Sequence, residues 1–177
     1  MIHSGNYRKN FVFSIRWIVN SSNCSVKMFK LLLNSIDDIN FMDNYTDIFY
    51  LACEKGKFEI ATLLLEKRPV YLDNIISFWN CTPIQRACQE GKFEIFQFLL
   101  EKGAKTDVLT KDYENLLHLA VNGVNIAICR KLLELKHEFI NSVDSYRQTP
   151  LHIAYQIENS DIINLLLGKG ASKDACY

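Results

Sequence analysis

The stretch TPLHIAYQIENSDIINLLLGKGA, residues 149–171, carries its own start and stop signals. Thr149 can cap a helix, its hydroxyl accepting a backbone N–H that the first turn leaves unpaired. Pro150 suits the first helical position, where its missing donor costs nothing. Leu151, Ala154 and Tyr155 then fall at helical spacing and form one apolar face. A second helix carries Ile162, Leu165 and Leu166 inward, and Gly170 supplies the left-handed residue that ends it. Nothing in the stretch is equipped for chemistry. It reads as a building block.

The block recurs along the chain. Residues 82–104 read TPIQRACQEGKFEIFQFLLEKGA, and residues 115–133 read NLLHLAVNGVNIAICRKLL. Residues 47–65, DIFYLACEKGKFEIATLLL, nearly duplicate the CQEGKFEI segment, and a fainter copy, IRWIVNSSNCSVKMFKLLL, begins at Ile15. Starts at 15, 47, 82, 115 and 149 are 32, 35, 33 and 34 residues apart. A fixed period of this length is the signature of a repeat architecture. The small residue at the sixth position (Ala52, Ala87, Ala120, Ala154) lets neighbouring helices approach closely.

A period near 33 residues with Thr149-Pro150-Leu151-His152-Ile153-Ala154 at its head, and Thr82-Pro83 at another, resembles the ankyrin repeat. Asp47-Ile48 and Asn115-Leu116 replace Thr-Pro, and the first copy lacks nearly all of the polar signature. The resemblance implies an all-α ankyrin-repeat solenoid of helix-turn-helix units with short β-turn or hairpin fingers. About five repeats, the first degenerate, would form one domain over residues 11–177 after a tail of residues 1–10. Its units would span about 11–40, 41–76, 77–108, 109–142 and 143–177.

Such a unit cannot stand alone. Ordering about 33 residues at about 1.5 kcal/mol each needs roughly 2,000 Å² of apolar burial to offset it, more than one helix pair can hide. Neighbours must therefore share a core. The triplets Leu31-Leu32-Leu33, Leu63-Leu64-Leu65 and Leu165-Leu166-Leu167 are expected to supply it, with Leu64, Leu99, Leu132 and Leu166 along a common spine. At the last unit, Ile157, Ile163 and Leu167 are expected to lie uncovered, which predicts self-association through the C-terminal end.

Composition narrows the function. Of 177 residues, 49% are hydrophobic and 23% charged, as in a folded globular protein. Lys plus Arg equals Asp plus Glu at 20 each, so the basic excess of a nucleic-acid binder is missing. No window is apolar enough to cross a bilayer, so neither nucleic acid nor membrane is expected as a partner. The run RKNFVFSIRWIVNSS has the order of a signal peptide, but Arg16 interrupts it and no small-x-small site follows. Six scattered cysteines without a CxxC pair fit a reducing intracellular compartment. The cytoplasm is the reading, with the nucleus also open.

Chemistry-bearing candidates are few. No Ser-His-Asp set, glycine-rich phosphate loop or HExxH appears, so no enzyme, cofactor or metal is expected. His118 and His152 occupy the signature histidine, whose implied role is a hydrogen bond that ties units together. Cys53 and Cys88 read as small buried apolar groups, and Cys81, beside a finger tip, as the exposed modifiable thiol.

The finger tips hold an aromatic in every interior connector: Tyr45, Trp79 with Phe78, Tyr113 and Tyr146. These rings either pack against the next finger or stand out as partner anchors, for which Tyr and Trp are favoured. Arg147 joins them. The resemblance also assigns contacts to exposed first-helix positions, here Glu54, Lys55, Gln89, Glu90, Asn122 and Gln156. The function expected is a noncatalytic protein–protein interaction module presenting a concave helix face and finger tips. The alternative is a regulatory or targeting ankyrin segment of a larger enzyme or transport protein.

Overall fold

The computed structural model describes residues 17–19, 21, 25–34, 45–76 and 80–173. They fall into two compact units, residues 1–80 and 81–177. Among the described residues the elements are helices and turns, with no β-strand.

In the first unit, α1 (Val26–Asn34) packs on α3 (Phe58–Lys67), which pairs with α2 (Tyr45–Glu54). Phe29, Leu33, Phe49, Tyr50, Ile60 and Leu64 fill the interior. Lys57, in the turn between α2 and α3, sends its ammonium to the carbonyls of Val19 and Ser21. The chain then leaves α3 through a 3-10 turn, Pro69–Leu72, which packs on both helices of the pair.

The second unit is three helix pairs: α4 (Pro83–Gln89) with α5 (Phe93–Glu101), α6 (Leu116–Asn122) with α7 (Ile126–Leu135), and α8 (Pro150–Gln156) with α9 (Ser160–Gly168). The first helices form one row, α4 on α6 on α8, and the second helices another, α5 on α7 on α9. Each first helix starts at a side-chain cap. Gln85 Oε1 accepts the Thr82 N–H at 2.8 Å, and Nδ1 of His152 accepts the Thr149 N–H at 2.8 Å. Asn115, standing where the signature has Thr, accepts the Leu117 and His118 N–H groups on its amide oxygen at 3.0 and 3.2 Å. Pro83 and Pro150 occupy the first helical position as their sequences require.

Successive pairs touch backbone to backbone. A Cβ on Gly123 would sit 2.1 Å from the Cys88 carbonyl oxygen, and one on Gly91 2.5 Å from that of Gly123. Only glycine allows this approach. Side chains tie the same pairs together: Asn125 Nδ2 donates to the Gly91 carbonyl at 2.8 Å while its oxygen caps α7 through the Ile128 N–H.

Leu64, Leu99, Leu132 and Leu166 are all fully buried, each within its own unit. The aliphatic triplets behave less uniformly than expected. Leu33, Leu64, Leu65, Leu165 and Leu166 are buried, whereas Leu31 is exposed and Leu32, Leu63 and Leu167 are half-buried. Successive residues turn 100° around a helix, so three in a row cannot all face inward. Two connectors also differ from the expected turns. After α3 and α7, Arg68 and Lys136 stand where α5 and α9 are followed by Gly103 and Gly170 at φ 86° and 91°. Without that left-handed glycine the chain continues into 3-10 turns, Pro69–Leu72 and His137–Asn141.

Candidate functional site

Each finger of the second unit is built on a single polar side chain. Asp144 is buried, and its carboxylate accepts the N–H groups of Tyr146 and Gln148, both at 2.8 Å. Thr110, at the matching position one repeat earlier, accepts those of Asp112 and Glu114 on its hydroxyl at 3.3 and 3.1 Å. Backbone turns close both loops, from Tyr113 N–H to Thr110 and from Arg147 N–H to Asp144. The two fingers are joined by the Ser145 N–H donating to the Asp112 carbonyl at 2.8 Å. The result is a braced pair of loops.

The tips stand out from this frame. Tyr113 is 65% exposed and Tyr146 71% exposed, so both residues stand largely in solvent. Leu109 and Val143, at matching positions near the base of each finger, are also exposed. Tyr113 and Arg147 both adopt φ 61°, a left-handed conformation that glycine reaches freely and other residues at a cost. The structure thus holds a bulky side chain outward at the position where glycine would close the turn with least strain. Phe78 and Trp79 lie outside the described residues, as does the side chain of Tyr45.

Along the first helices, Glu54, Lys55, Gln89, Asn122 and Gln156 are exposed. Glu90 is half-buried because it forms an ion pair with Arg86 one turn earlier. Gln89, Asn122 and Gln156 each end their helix, on adjacent members of one row. Sequence reading missed Val124, which follows this row. It is 56% exposed at φ 52°, and its place one repeat after Gly91 is the signal that would have marked it.

The three described histidines make structural hydrogen bonds. His118 is fully buried; Nδ1 accepts the Asn115 N–H, leaving Nε2 to donate to the Gln148 carbonyl of the next finger at 3.1 Å. Burial lowers its pKa, against the pull of the Gln148 carbonyl and Asp144. His152 works in its own cap. His137 donates to the Lys169 carbonyl at 3.0 Å, a tie between repeats that spacing did not suggest.

The four described thiols are free and buried. Cys53 and Cys88 are buried as expected, but so is Cys81, contrary to its reading as an exposed thiol. Desolvation pushes Cys53 and Cys129 to about 12 and Cys81 to about 11, and raises Cys88 well above its ordinary value. None is a thiolate nucleophile near neutral pH. Among the described residues no group of three or more His, Cys, Asp or Glu could hold a metal ion. No helix among them is long and apolar enough to cross a membrane.

At the far end, Tyr155 is 51% exposed although Cys88 and Val121, at the same position in the two preceding repeats, are fully buried. The expected apolar face of α8 therefore includes a ring that is half exposed among the described residues. Ile157 is exposed, and Ile163 and Leu167 are half-buried.

A family model for ankyrin repeats in three copies matches residues 17–112 and again residues 103–175. Such repeats are generally protein–protein interaction modules and are typically noncatalytic. With its period, capped helix pairs and braced fingers, the chain belongs to the ankyrin-repeat family.

Proposed function

We propose that this chain is a noncatalytic binding module whose partner is a protein, contacted by the finger tips and the exposed ends of the first helices. The contact residues are Tyr45, Phe78, Trp79, Tyr113, Tyr146 and Arg147 on the fingers, with Glu54, Lys55, Gln89, Glu90, Asn122 and Gln156 on the helices. The unbroken period supports taking residues 11–177 as one domain. An intracellular setting suits its free, buried thiols.

One observation carries the reading: two tyrosines more than 60% exposed on loops fixed by Asp144 and Thr110. A ring held in place before binding loses little freedom on contact, which is how preorganised surfaces gain affinity. Tyr113→Ala with Tyr146→Ala tests it. Both rings face solvent, so melting should be unchanged, while affinity for a captured protein partner should fall at least 30-fold if both rings are anchors (about 2 kcal/mol or more). Equal capture by the parent and the double variant would end the proposal.

The open ring of Tyr155 supports a second reading, self-association through the last repeat. Sedimentation should then show a concentration-dependent dimer that Tyr155→Glu abolishes, and a monomer at all concentrations would refute it.

A further inference from the structure

Amide side chains in this protein are repeatedly spent on backbone groups. Gln85, Asn115, Asn125 and Asn159 all satisfy main-chain N–H groups, and Asn125 serves a carbonyl as well. Gln89, Asn122 and Gln156 do not. Their exposed amides make no hydrogen bond within the described residues, and they occupy the same place on α4, α6 and α8, which lie side by side.

We infer that this row binds the main chain of an extended, uncharged, apolar-rich polypeptide segment, an inference that rests on the protein-binding reading above. A primary amide carries both donors and an acceptor, as a peptide group does, so each can pair with backbone whatever the segment's sequence. Packed helices lie 8–10 Å apart, and an extended chain rises about 3.3 Å per residue. Neighbouring amides therefore meet peptide groups about three residues apart, and about seven residues span the row, which a nonapeptide covers with a residue to spare at each end.

Charge selects the same occupant. Next along each helix come Glu90, already paired with Arg86, and the uncharged Gly123 and Ile157. A nucleic acid or a strongly acidic tail would find no free cation at these positions, whereas a neutral backbone needs none. Apolar side chains of the segment have seats in Val124 and Ile157, both exposed. Val124 is the telling one. A β-branched residue at φ 52° with its side chain in solvent adds strain without packing, so its apolar surface is placed for contact with something outside the chain.

The test pans the full chain against a random nonapeptide library and synthesises the peptides retained. They should carry little net charge and several apolar residues. Gln89→Glu, Asn122→Asp and Gln156→Glu together keep side-chain shape but remove every donor, and should weaken binding at least tenfold. N-methylating peptide groups three residues apart should do the same on the parent protein, which keeps the result independent of how the variant folds. Panning that returns no binder or only charged peptides, or affinities indifferent to both changes, overturns the inference. If the triple variant still captures the protein partner that Tyr113→Ala/Tyr146→Ala loses, the binding module survives and the amide row falls. Loss of neither partner nor peptide in any variant fells both.

Discussion

The repeat in residues 45–76 and the three in residues 81–173 share one geometry and fill it with different chemistry. At the position just before the second helix, Lys57 reaches the carbonyls of Val19 and Ser21, whereas Asn125 reaches the Gly91 carbonyl and caps its own helix at once. At the end of the first helix, the first unit presents the charged pair Glu54-Lys55, and the second presents Gln89, Asn122 and Gln156. At the head, Asp47 lies inside α2, while Thr82, Asn115 and Thr149 cap from outside. What a repeat preserves is the demand made at each position. A tie to the preceding loop is required, and a cation or an amide can supply it.

Backbone contact is less forgiving than side-chain exchange. Gly123→Ala places a methyl 2.1 Å from the Cys88 carbonyl and 2.9 Å from that of Gln89, both backbone atoms that cannot rotate away. Separating the two repeats enough to admit it should cost about 3 kcal/mol or more, in the range of severe overpacking. Gly168→Ala is the control. Nothing lies within 4 Å of its Cβ inside α9, so it should stabilise by about 0.5–1 kcal/mol. Urea unfolding of the two variants checks both signs, and similar shifts would mean that the repeats slide apart freely.

The two ways of tying loops predict different losses. Asn125→Ala removes a cap and a bridge together and should cost about 2 kcal/mol, from about 1 for the cap and about 1 for the hydrogen bond. Lys57→Met keeps the aliphatic stem and removes only the ammonium, so about 1 kcal/mol is expected. Chemical denaturation of each variant measures the gap. A larger loss from Lys57→Met would show that the cation holds more of the first unit together than its two carbonyl contacts account for.

Strain sets the next effect, and its sign is reversed. Val124→Gly should stabilise by about 1 kcal/mol, since glycine takes φ 52° without a Cβ penalty and the valine side chain buries little. The same change should weaken peptide binding if Val124 seats an apolar side chain. Stability and binding moving in opposite directions would separate a residue kept for contact from one kept for folding; thermal melting and peptide titration on one sample decide it.

Much of this is legible in the sequence, for a physical reason. Caps, Pro83, Pro150 and the terminal glycines act within a few residues, so Thr149, Gly103 and Gly170 can be assigned from neighbours alone. The fully buried Leu64, Leu99, Leu132 and Leu166 follow from helical periodicity. Cys81 does not, because it precedes the capping Thr82 and lies outside the helical period that predicts burial. Nor does the exposure of Tyr113 and Tyr146. Whether a loop ring packs or projects turns on the local φ, and only the structure shows Tyr113 and Arg147 in the left-handed region. Leu31 departs from its expected place in the core because three adjacent leucines look alike in sequence but point three ways on a helix. The 3-10 turns at Pro69–Leu72 and His137–Asn141 replace an absent glycine, a substitution that period counting sees only as one or two extra residues.

The smallest effect expected is one of pH, and it follows from where His118 spends its two nitrogens. Buried neutral, with Nδ1 accepting from Asn115 and Nε2 donating to Gln148, the ring has a pKa below its ordinary value of 6.5. The unfolded chain therefore takes up a proton there before the folded one does, and stability rises with pH wherever that is so. The contribution is complete above about 6.5 and is lost progressively as pH falls below it. His118→Gln removes the titration while keeping a cap acceptor, as Gln85 shows at the same position. Glu114 works in the other sense: burial raises its pKa above 4.5, so its contribution declines as pH rises past that value. The parent curve mixes both, and the difference between parent and variant isolates the histidine. Parent minus variant stability should fall as pH is lowered from 7 to 5. A difference that rises instead as pH falls would mean that the ring is protonated in the folded state, with Nδ1 donating instead of accepting.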